Sequence, residues 1–548
     1  MANAVSNFPF RSWVPRPVGI LIILFLFVPV LFINGTYSSN IGEMTSSLGI
    51  ISENIQYANF ATAIGMAVFT PFLRKHLELR RPKMAFILGL LLLTLFSYLC
   101  ARTDSIPLLI VCSFLTGIVR MDLIFHGISC FFLYVFKRDM VHGMKPAPVA
   151  VPEEVVSKID HFRTLFLSIL YLFFLTIGQL GSFVTAYLAY SYEWQYVYYF
   201  MIALALISLV LVELTMVYQK RVNTAHLNMK KFGDMVLASL LLMSLCYVLI
   251  YGKTLDWFDD RTIRLAVAVF LVSLGGFIFL ELYSKRPYFN FRAFTGRNIV
   301  IAVVIFLIGM VLNSSSMLVS AFTGLSMTID NWNNALLSNW SLAGNAIGTV
   351  IVFFMAKKRI PFKYMFIFSF SFITVSAIYM YFQFQSMGLY NNMIFPVIIR
   401  SAGMIIAYGM AGALGMTRLN LHYYGSWMFI MLTVRSVIGP VAGISLYSNL
   451  LDNRENYYIN RLSQEVDMLN PQISGAYAYT QAGAMMQGRS YEDAQSLASM
   501  SVTRKIHVQA VLAALKEIAG WTIWVGFASI ILVIVIPYKR PKLSSGNA

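Results

Sequence analysis

Charged residues are scarce in this sequence. Only 12% of its 548 residues are charged, whereas 58% are hydrophobic, and the mean hydropathy is +0.70. Soluble domains carry roughly 25% charged residues, so the composition excludes a soluble protein and predicts an all-α polytopic membrane protein. Acidic residues are the scarcer kind, since 24 of them stand against 41 basic ones. The basic residues fall in short clusters between apolar runs, which argues against a nucleic-acid partner.

Cysteines are few, and the common catalytic motifs are missing. The four cysteines, Cys100, Cys112, Cys130 and Cys246, lie inside apolar runs without the paired spacing of a disulfide or a metal site. We find no zinc-protease motif, no phosphate-binding loop and no nucleophile elbow. We therefore expect no metal and no cofactor, and a polytopic membrane enzyme is only a minor alternative.

Long apolar runs dominate the sequence instead. Fourteen runs have the length of about 20 residues that the core of a bilayer requires. They cover residues 18–40, 55–73, 84–101, 106–136, 165–190, 196–218, 235–251, 265–283, 299–322, 335–355, 364–384, 393–416, 427–450 and 520–538. An even number of spans places both termini on the same side of the membrane.

The distribution of Lys and Arg predicts which side that is. Basic clusters such as 74–75, 137–138 and 357–359 fall on every second connection, whereas the alternate short connections carry few basic residues. The positive-inside rule therefore predicts that both termini are cytoplasmic, in a multi-pass protein of the cell inner membrane. The longest connection, 449–517, is then periplasmic, and Ser490 and Asp493 within it have the spacing of a helix N-terminal cap.

One predicted span carries charged residues near its middle. Arg120, Asp122 and His126 lie within the apolar run 106–136. A charge at that depth costs about 2.5–3.5 kcal/mol on insertion scales, so we expect it to face a polar interior or a partner. Asp122 and His126 are one helical turn apart and indicate a protonatable couple, while Arg120 lies about 200° round the helix from Asp122. The alternative is that Asp122 only neutralises a basic residue of a neighbouring span.

Other polar side chains in the spans predict a substrate cavity. The candidates are aromatic, amide and guanidinium side chains suited to amphipathic molecules: Tyr37, Tyr57, Asn59, Asn313, Trp340, Asn345, Arg400 and Arg435. Each has a simpler interpretation as an interface aromatic residue or as a group that hydrogen-bonds one helix to another.

Four motifs resemble those of a known family and occur in the order expected for it. They are Gly-Lys-Thr-Leu-Asp-Trp-Phe at 252–258, Asn-Phe-Arg-Ala-Phe with Arg-Asn at 290–298, Glu-Trp-Gln-Tyr at 193–196, and the segment 435–454. They resemble motifs of the fourteen-span drug:proton antiporters of the major facilitator superfamily, the EmrB/QacA type. In that family the four motifs lie, in the same order, in the outer loop after the seventh span, at the entry to the ninth span, in the turn between the fifth and sixth spans, and in the thirteenth span.

This resemblance implies a major facilitator fold with 14 transmembrane helices. It implies an N-terminal six-helix half (1–218), two inserted helices (234–283) and a C-terminal six-helix half (298–548) that includes the periplasmic loop 449–517. The implied function is that of a secondary active transporter, not an enzyme, which exports amphipathic small molecules or drugs by alternating access and proton coupling. The expected partners are the small-molecule substrate, protons, membrane lipid, a periplasmic adaptor and an outer-membrane channel.

The residues that couple transport to protons in that family differ here. The family's Asp in the first span is matched by Asn34, and its Arg in the fourth span is matched by Ser113. Asn34 therefore joins the cavity candidates, and Asp122, with His126 and Arg120, becomes the candidate proton-coupling group. A facilitator, an importer and an ion-independent exporter of a specific metabolite are the alternatives.

Overall fold

A computed structural model describes most of the chain. The described residues are 8–33, 36–37, 40–78, 82–136, 153–218, 230–284, 287–326, 330–386, 388–417, 419, 423–464 and 471–537. They form helices, together with one isolated antiparallel bridge between Phe10 and Met216.

The helices fall into three consecutive sets. The N-terminal group comprises α1 Arg16–Phe32, α2 Ile41–Leu48, α3 Ser52–Glu78, α4 Pro82–Arg102, α5 Ile106–Phe136, α6 Glu153–Ser191 and α7 Gln195–Thr215. Two further helices follow, α8 Lys230–Tyr251 and α9 Arg261–Tyr283. The C-terminal group comprises α10 Arg297–Asn313, α11 Ser316–Ser326, α12 Asn331–Asn339, α13 Ser341–Lys357, α14 Phe362–Gln383, α15 Ile394–Met416, α16 Tyr424–Leu432, a π-helical turn Thr433–Ile438, α17 Gly439–Gln464, α18 Pro471–Met486 and α19 Tyr491–Val535.

Twelve helical segments of the described residues are long and apolar enough to cross a membrane. They correspond to the third through fourteenth predicted spans, so the protein is a multi-pass membrane protein. The predicted count of fourteen is not supported. The first predicted span is α1, which is apolar but has only 17 residues, and the second lies in α3, where Gln56, Tyr57 and Asn59 lower the hydropathy.

Within the N-terminal group, α3 and α5 cross with their backbones in contact. A Cβ atom on Gly65 would lie 2.2 Å from the carbonyl oxygen of Phe114, and one on Gly117 would lie 2.0 Å from that of Thr62. Any larger residue would push the two helices apart, so only glycine permits this approach. The two crossing points fix the position of α5, the helix that carries the predicted charged residues.

The C-terminal group contains a similar crossing between α13 and α15. A Cβ atom on Gly344 would lie 2.1 Å from the carbonyl oxygen of Ile398, and one on Gly348 would lie 2.5 Å from that of Ala402. In both groups, therefore, glycines bring two helix backbones together and leave the remaining faces of α5 and α15 for other neighbours.

Two sets of contacts join the N-terminal and C-terminal groups. Helix α6 packs on α12, α13 and α15, and helix α3 packs on α16 and on the π-helical turn. Trp332 of α12, for example, lies with its ring centroid 4.8 Å from that of Phe183 and 5.2 Å from that of Tyr187. Helix α8 contacts both groups, through α3 and through α17.

The predicted periplasmic connection 449–517 is largely helical. Its described parts belong to α17, to α18 and to α19, which has 45 residues and is therefore about 68 Å long. A bilayer core is only about 30 Å thick, so α19 extends well beyond it. The predicted cap is present, because the hydroxyl oxygen of Ser490 accepts a hydrogen bond from the backbone N–H of Asp493 at 3.1 Å.

Candidate functional site

The predicted couple on α5 is in contact. Nδ1 of His126 lies 3.3 Å from a carboxylate oxygen of Asp122 and 3.0 Å from the Asp122 carbonyl oxygen. The imidazole also meets the edge of Phe86 on α4, with 6.3 Å between the ring centroids. The couple therefore lies at the boundary of α4 and α5, inside the N-terminal group. Its role in proton coupling stays a prediction.

Arg120 lies on another side of α5 and does not pair with Asp122. It follows Gly117, the residue at which α5 touches α3, by nearly one turn. Its side chain is only 3% exposed, and its Nε has no hydrogen-bond partner among the described residues. A guanidinium group is thus held in the interior without a counter-charge among the described ion pairs.

Arg435 occupies the boundary between the two helix groups. Its guanidinium carbon lies 5.2 Å from the ring centroid of Tyr171 on α6 and 5.3 Å from that of Tyr408 on α15. The Tyr171 hydroxyl is 3.7 Å from the sulfur of Met431, and a Cβ atom on Gly412 would lie 3.1 Å from that hydroxyl. Arg435 stands in the π-helical turn, a distortion that is frequent at functional sites.

The two tyrosines beside Arg435 were not among the predicted cavity residues. Both belong to a sequence that contains 30 tyrosines, most of them in or near predicted spans. Their contacts with Arg435 join positions that are far apart in the sequence, and no local pattern marks them. Only the charge of Arg435 within an apolar run was visible in the sequence.

Arg400 is the remaining predicted guanidinium. It lies on α15, and its Nη1 is buried without a hydrogen-bond partner among the described residues. The neighbouring Ser401 takes part in the close crossing with α13, where a Cβ atom on Gly344 would lie 2.0 Å from the Ser401 hydroxyl oxygen. Arg400 is therefore carried by a helix whose position is tightly fixed.

Tyr37 and Tyr57 form packing contacts between helices. The Tyr37 hydroxyl hydrogen-bonds that of Ser113 at 2.5 Å, and its ring meets Tyr198 at 6.4 Å between centroids. The Tyr57 hydroxyl donates to the Met243 carbonyl oxygen of α8 at 3.1 Å. Asn34, predicted beside Tyr37, lies outside the described residues.

The other four predicted positions are spread over α3, α10 and α13. Asn59 is half-buried on α3, and Asn313 is half-buried at the end of α10. Trp340, between α12 and α13, is 47% exposed, whereas Asn345 on α13 is buried at 8% exposure. Their role in a substrate cavity stays a prediction.

A narrow cleft of about 50 Å³ lies between α3 and α8 on one side and α11 and α17 on the other. Its polar lining includes Glu53 and Gln56 of α3, Lys253 after α8, and Ser445 and Asn449 of α17. None of these residues was predicted as a site residue. Each lies close to the end of an apolar run, where polar residues are common and do not by themselves indicate a binding site.

The opposite end of α3 is closed against the C-terminal group. Tyr288 inserts between Phe72 of α3 and Phe429 of α16, with 5.8 Å between ring centroids on each side, and its hydroxyl donates to the Val68 carbonyl oxygen. Glu53 and Phe72 are 19 residues apart, or about 28 Å along the helix. The two helix groups are therefore in direct contact at one end of α3, whereas the cleft lies between them at the other end.

Comparison with protein families and solved structures gives a consistent result. The family model described as Major Facilitator Superfamily matches residues 23–444. A search of curated protein sequences finds no significant match. Similar solved structures include an auto-inhibited POT family peptide transporter (TM-score 0.51, 14% identity, covering 96% of this chain and 99% of the other) and a mutant of the nucleoside transporter NupG (TM-score 0.52, 11% identity, covering 94% and 100%). Tetrameric PepTSo2 is similar to the same degree, with a TM-score of 0.51, 11% identity and coverage of 95% and 99%.

Proposed function

Since the chain belongs to the Major Facilitator Superfamily and is therefore a secondary transporter, we propose that it exports amphipathic small molecules across the inner membrane, with protons as the coupling ion. In this proposal residues 1–218 and 298–548 form two halves that rock against each other, and residues 234–283 form two helices between them. Each half of the cycle then exposes a central site to one side of the membrane.

The observation that carries this proposal is the unequal state of the two ends of α3. At one end Tyr288 joins α3 to α16, and at the other end the cleft lies between α3 and α17. Alternating access requires that one end is closed while the other is open. The conformation described here is the one expected for one of the two end states.

The charge distribution supports an outward-open assignment. The basic residues that follow the positive-inside rule, such as Arg11, Arg16 and Lys83, lie at the end where Tyr288 closes the structure. Lys83 is paired there with Glu213 at 3.2 Å. On this basis the termini are cytoplasmic, the cleft opens to the periplasm, and the part of α19 beyond the bilayer is periplasmic, where an adaptor and an outer-membrane channel would meet it.

Proton coupling is assigned to the Asp122–His126 couple. A carboxylate in contact with an imidazole can take up and release one proton while the pair stays compact. The couple lies on α5, whose backbone is fixed against α3 at Gly65 and Gly117. Because α5 is fixed to α3, it moves together with α3 when the cleft closes. A change in the protonation of the couple would therefore act directly on a helix that takes part in this movement.

We expect Asp122→Asn to abolish proton-driven uphill efflux and to leave substrate binding intact. The measurement is efflux of a fluorescent amphipathic dye in everted membrane vesicles under an imposed pH gradient, with binding measured on the purified protein. Asp104→Asn, at an exposed position between α4 and α5, is the matched control and should pump at the wild-type rate. Uphill transport by Asp122→Asn at the wild-type rate would show that the coupling proton binds elsewhere.

A further inference from the structure

The guanidinium groups of the interior have no acidic partner among the described residues. Ion pairs seen between described residues are Lys83–Glu213, His126–Asp122, Lys253–Asp452, Arg454–Glu517 and His507–Glu455. Arg120, Arg400 and Arg435 take part in none of these pairs. All three lie on membrane-spanning helices, where a charge without a partner is unfavourable. Intramembrane charges of this kind often mark the path of a substrate or an ion.

Two of these groups also have unused hydrogen-bond donors. Nε of Arg120 and Nη1 of Arg400 are buried and have no partner in the part of the chain that the structure describes. A buried donor that remains unsatisfied is unfavourable and calls for a functional explanation. A negatively charged ligand would supply both the missing acceptor and the missing charge.

The third group, Arg435, lies against α15, and α15 has unfilled space at one buried position. Gly409 is buried next to Tyr408, yet a Cβ atom built on it would have no neighbouring atom within 4 Å. One turn further along α15, Gly412 is in contact with Tyr171. Because residues three apart lie on the same side of a helix, the space opens on the side of α15 that meets Tyr171. A guanidinium held by ring faces still has N–H groups at its edge for a carboxylate or a sulfonate.

We propose that the transported molecules are amphipathic organic anions whose acidic group pairs with Arg435 in the space beside Gly409. The rings of Tyr171 and Tyr408 contact the apolar part of the molecule. Arg120 and Arg400 make the potential of the interior positive and so favour entry of an anion over a cation. This inference rests on the proposed transport function and names its substrate class.

Three dansyl compounds test the charge preference, because they share one apolar group. Dansylglycine is an anion, dansylamide is neutral and dansylcadaverine is a cation. Proteoliposomes containing the full chain are loaded with one unlabelled compound, and uptake of the same radiolabelled compound is followed. Such exchange requires no coupling ion and no knowledge of direction. We expect the exchange of dansylglycine to exceed that of dansylcadaverine by about tenfold or more, the usual effect of one charge-assisted hydrogen bond.

The variant Arg435→Gln should lose most of this preference and reduce dansylglycine exchange about tenfold. Arg297→Gln, at an exposed position on α10, is the control and should behave as the wild type. If Arg435→Gln does not fold, the preference of the wild-type protein for dansylglycine over dansylcadaverine tests the proposal by itself. Exchange of dansylcadaverine without exchange of dansylglycine would overturn the anion proposal and leave transport intact, whereas exchange of none of the three would count against both.

A second inference concerns the loop between α8 and α9. Residues 252–260 reach across the cleft and bind both helix groups. On the N-terminal side Thr254 donates to a carboxylate oxygen of Glu53 at 3.0 Å. On the other side the indole N–H of Trp257 donates to the Asn449 side-chain oxygen at 3.3 Å, and Lys253 pairs with Asp452 at 3.1 Å.

The backbone of this loop is held in an uncommon conformation. Asp256 and Trp257 have φ angles of 50° and 56°, in the left-handed region that residues other than glycine rarely adopt. A Cβ atom on Gly252 would lie 2.9 Å from the Trp257 ring, so the indole folds back on the end of α8. Strain of this kind persists where surrounding contacts enforce it, and it is concentrated at functional segments.

The geometry points to a latch that sets the width of the outer cleft, a role that rests on the proposed alternating access. Closing the cleft moves α17 relative to α3, so the contacts of Lys253 and Trp257 must change during each cycle. A reducible bifunctional thiol reagent applied to Lys253→Cys with Asp452→Cys should reduce dansyl exchange at least tenfold, with recovery after reduction. The control pair Glu455→Cys with His507→Cys joins two residues of the C-terminal group that are in contact at 2.8 Å, and its cross-linking should leave exchange unchanged. Full exchange by the cross-linked 253–452 protein would overturn the latch.

Discussion

The crossing of α3 and α5 predicts a large effect for a very small substitution. In Gly117→Ala the added methyl carbon would lie 2.0 Å from the Thr62 carbonyl oxygen, 2.9 Å from its carbonyl carbon and 3.1 Å from the Met66 nitrogen. Ordinary contacts of this kind begin near 3.4 Å. The obstructing atoms belong to the backbone and cannot rotate away, so the two helices must separate by roughly the missing distance.

The size of the effect follows from two opposing terms. Overpacking of a well-packed interior costs about 1–3 kcal/mol, and a clash with fixed backbone belongs at the upper end of that range. Replacing glycine by alanine inside a helix contributes about 1 kcal/mol in the opposite direction. We therefore expect Gly117→Ala to lose about 2 kcal/mol. For a body of about 200 residues this corresponds to a fall in Tm of about 4–8 °C.

The fall in Tm is measured by thermal unfolding of the purified protein in detergent. Unfolding is followed by tryptophan fluorescence or by size-exclusion recovery after heating. Gly275→Ala is the matched control, because Gly275 lies inside α9 and a Cβ atom there would meet nothing within 4 Å. It gains the same helix propensity without the clash and should unfold at or slightly above the wild-type temperature. Equal Tm values for Gly117→Ala and Gly275→Ala would refute the close crossing.

The remaining predictions concern topology and a helix cap. A membrane-impermeant thiol reagent should label Gly475→Cys on α18 but not Lys230→Cys in intact spheroplasts, and labelling of the latter alone would reverse the proposed orientation. The carboxylate of Asp260 caps α9 by accepting from the Thr262 backbone N–H at 2.6 Å and from its hydroxyl, and these bonds lower the pKa of Asp260. The cap should therefore stabilise the protein fully above the reference pKa of about 3.9 and lose its effect as the pH falls through the lower folded-state pKa. The Tm difference between Asp260→Ala and the wild type should accordingly shrink over that acidic range. A Tm difference that grows there would contradict this reasoning.

Structural features that involve residues close together in the sequence could be predicted from the sequence. The span 106–136 coincides with α5, and the contact of Asp122 with His126 follows from their spacing of four residues on one helix. The cap at Ser490 and Asp493 was predictable for the same reason. The number of spans was not, because hydropathy alone did not show that α1 would end at Phe32.

Contacts between distant segments were beyond the reach of the sequence. The ring of Tyr171 meets Arg435 only because α6 packs against α15 and the π-helical turn. Periodicity describes one helix at a time and contains no information on which helix lies beside it. The candidate cavity residues were chosen by type, and packing uses several of them, such as Tyr37 and Tyr57, to join neighbouring helices.

The positions of the two candidate sites constrain how they communicate. The Asp122–His126 couple lies between α4 and α5 within the N-terminal group, whereas Arg435 lies where α6 meets α15. A proton and an organic anion would therefore bind at separate places and could not compete for one residue. Coupling between them must then pass through packed helices that have two arrangements. Helix α3 fits this role, because it is fixed to α5 at Gly65 and Gly117 and also packs on the π-helical turn that carries Arg435. If α3 and α5 move as one body, protonation of the couple can change the contact of α3 with that turn without any direct contact between the two sites.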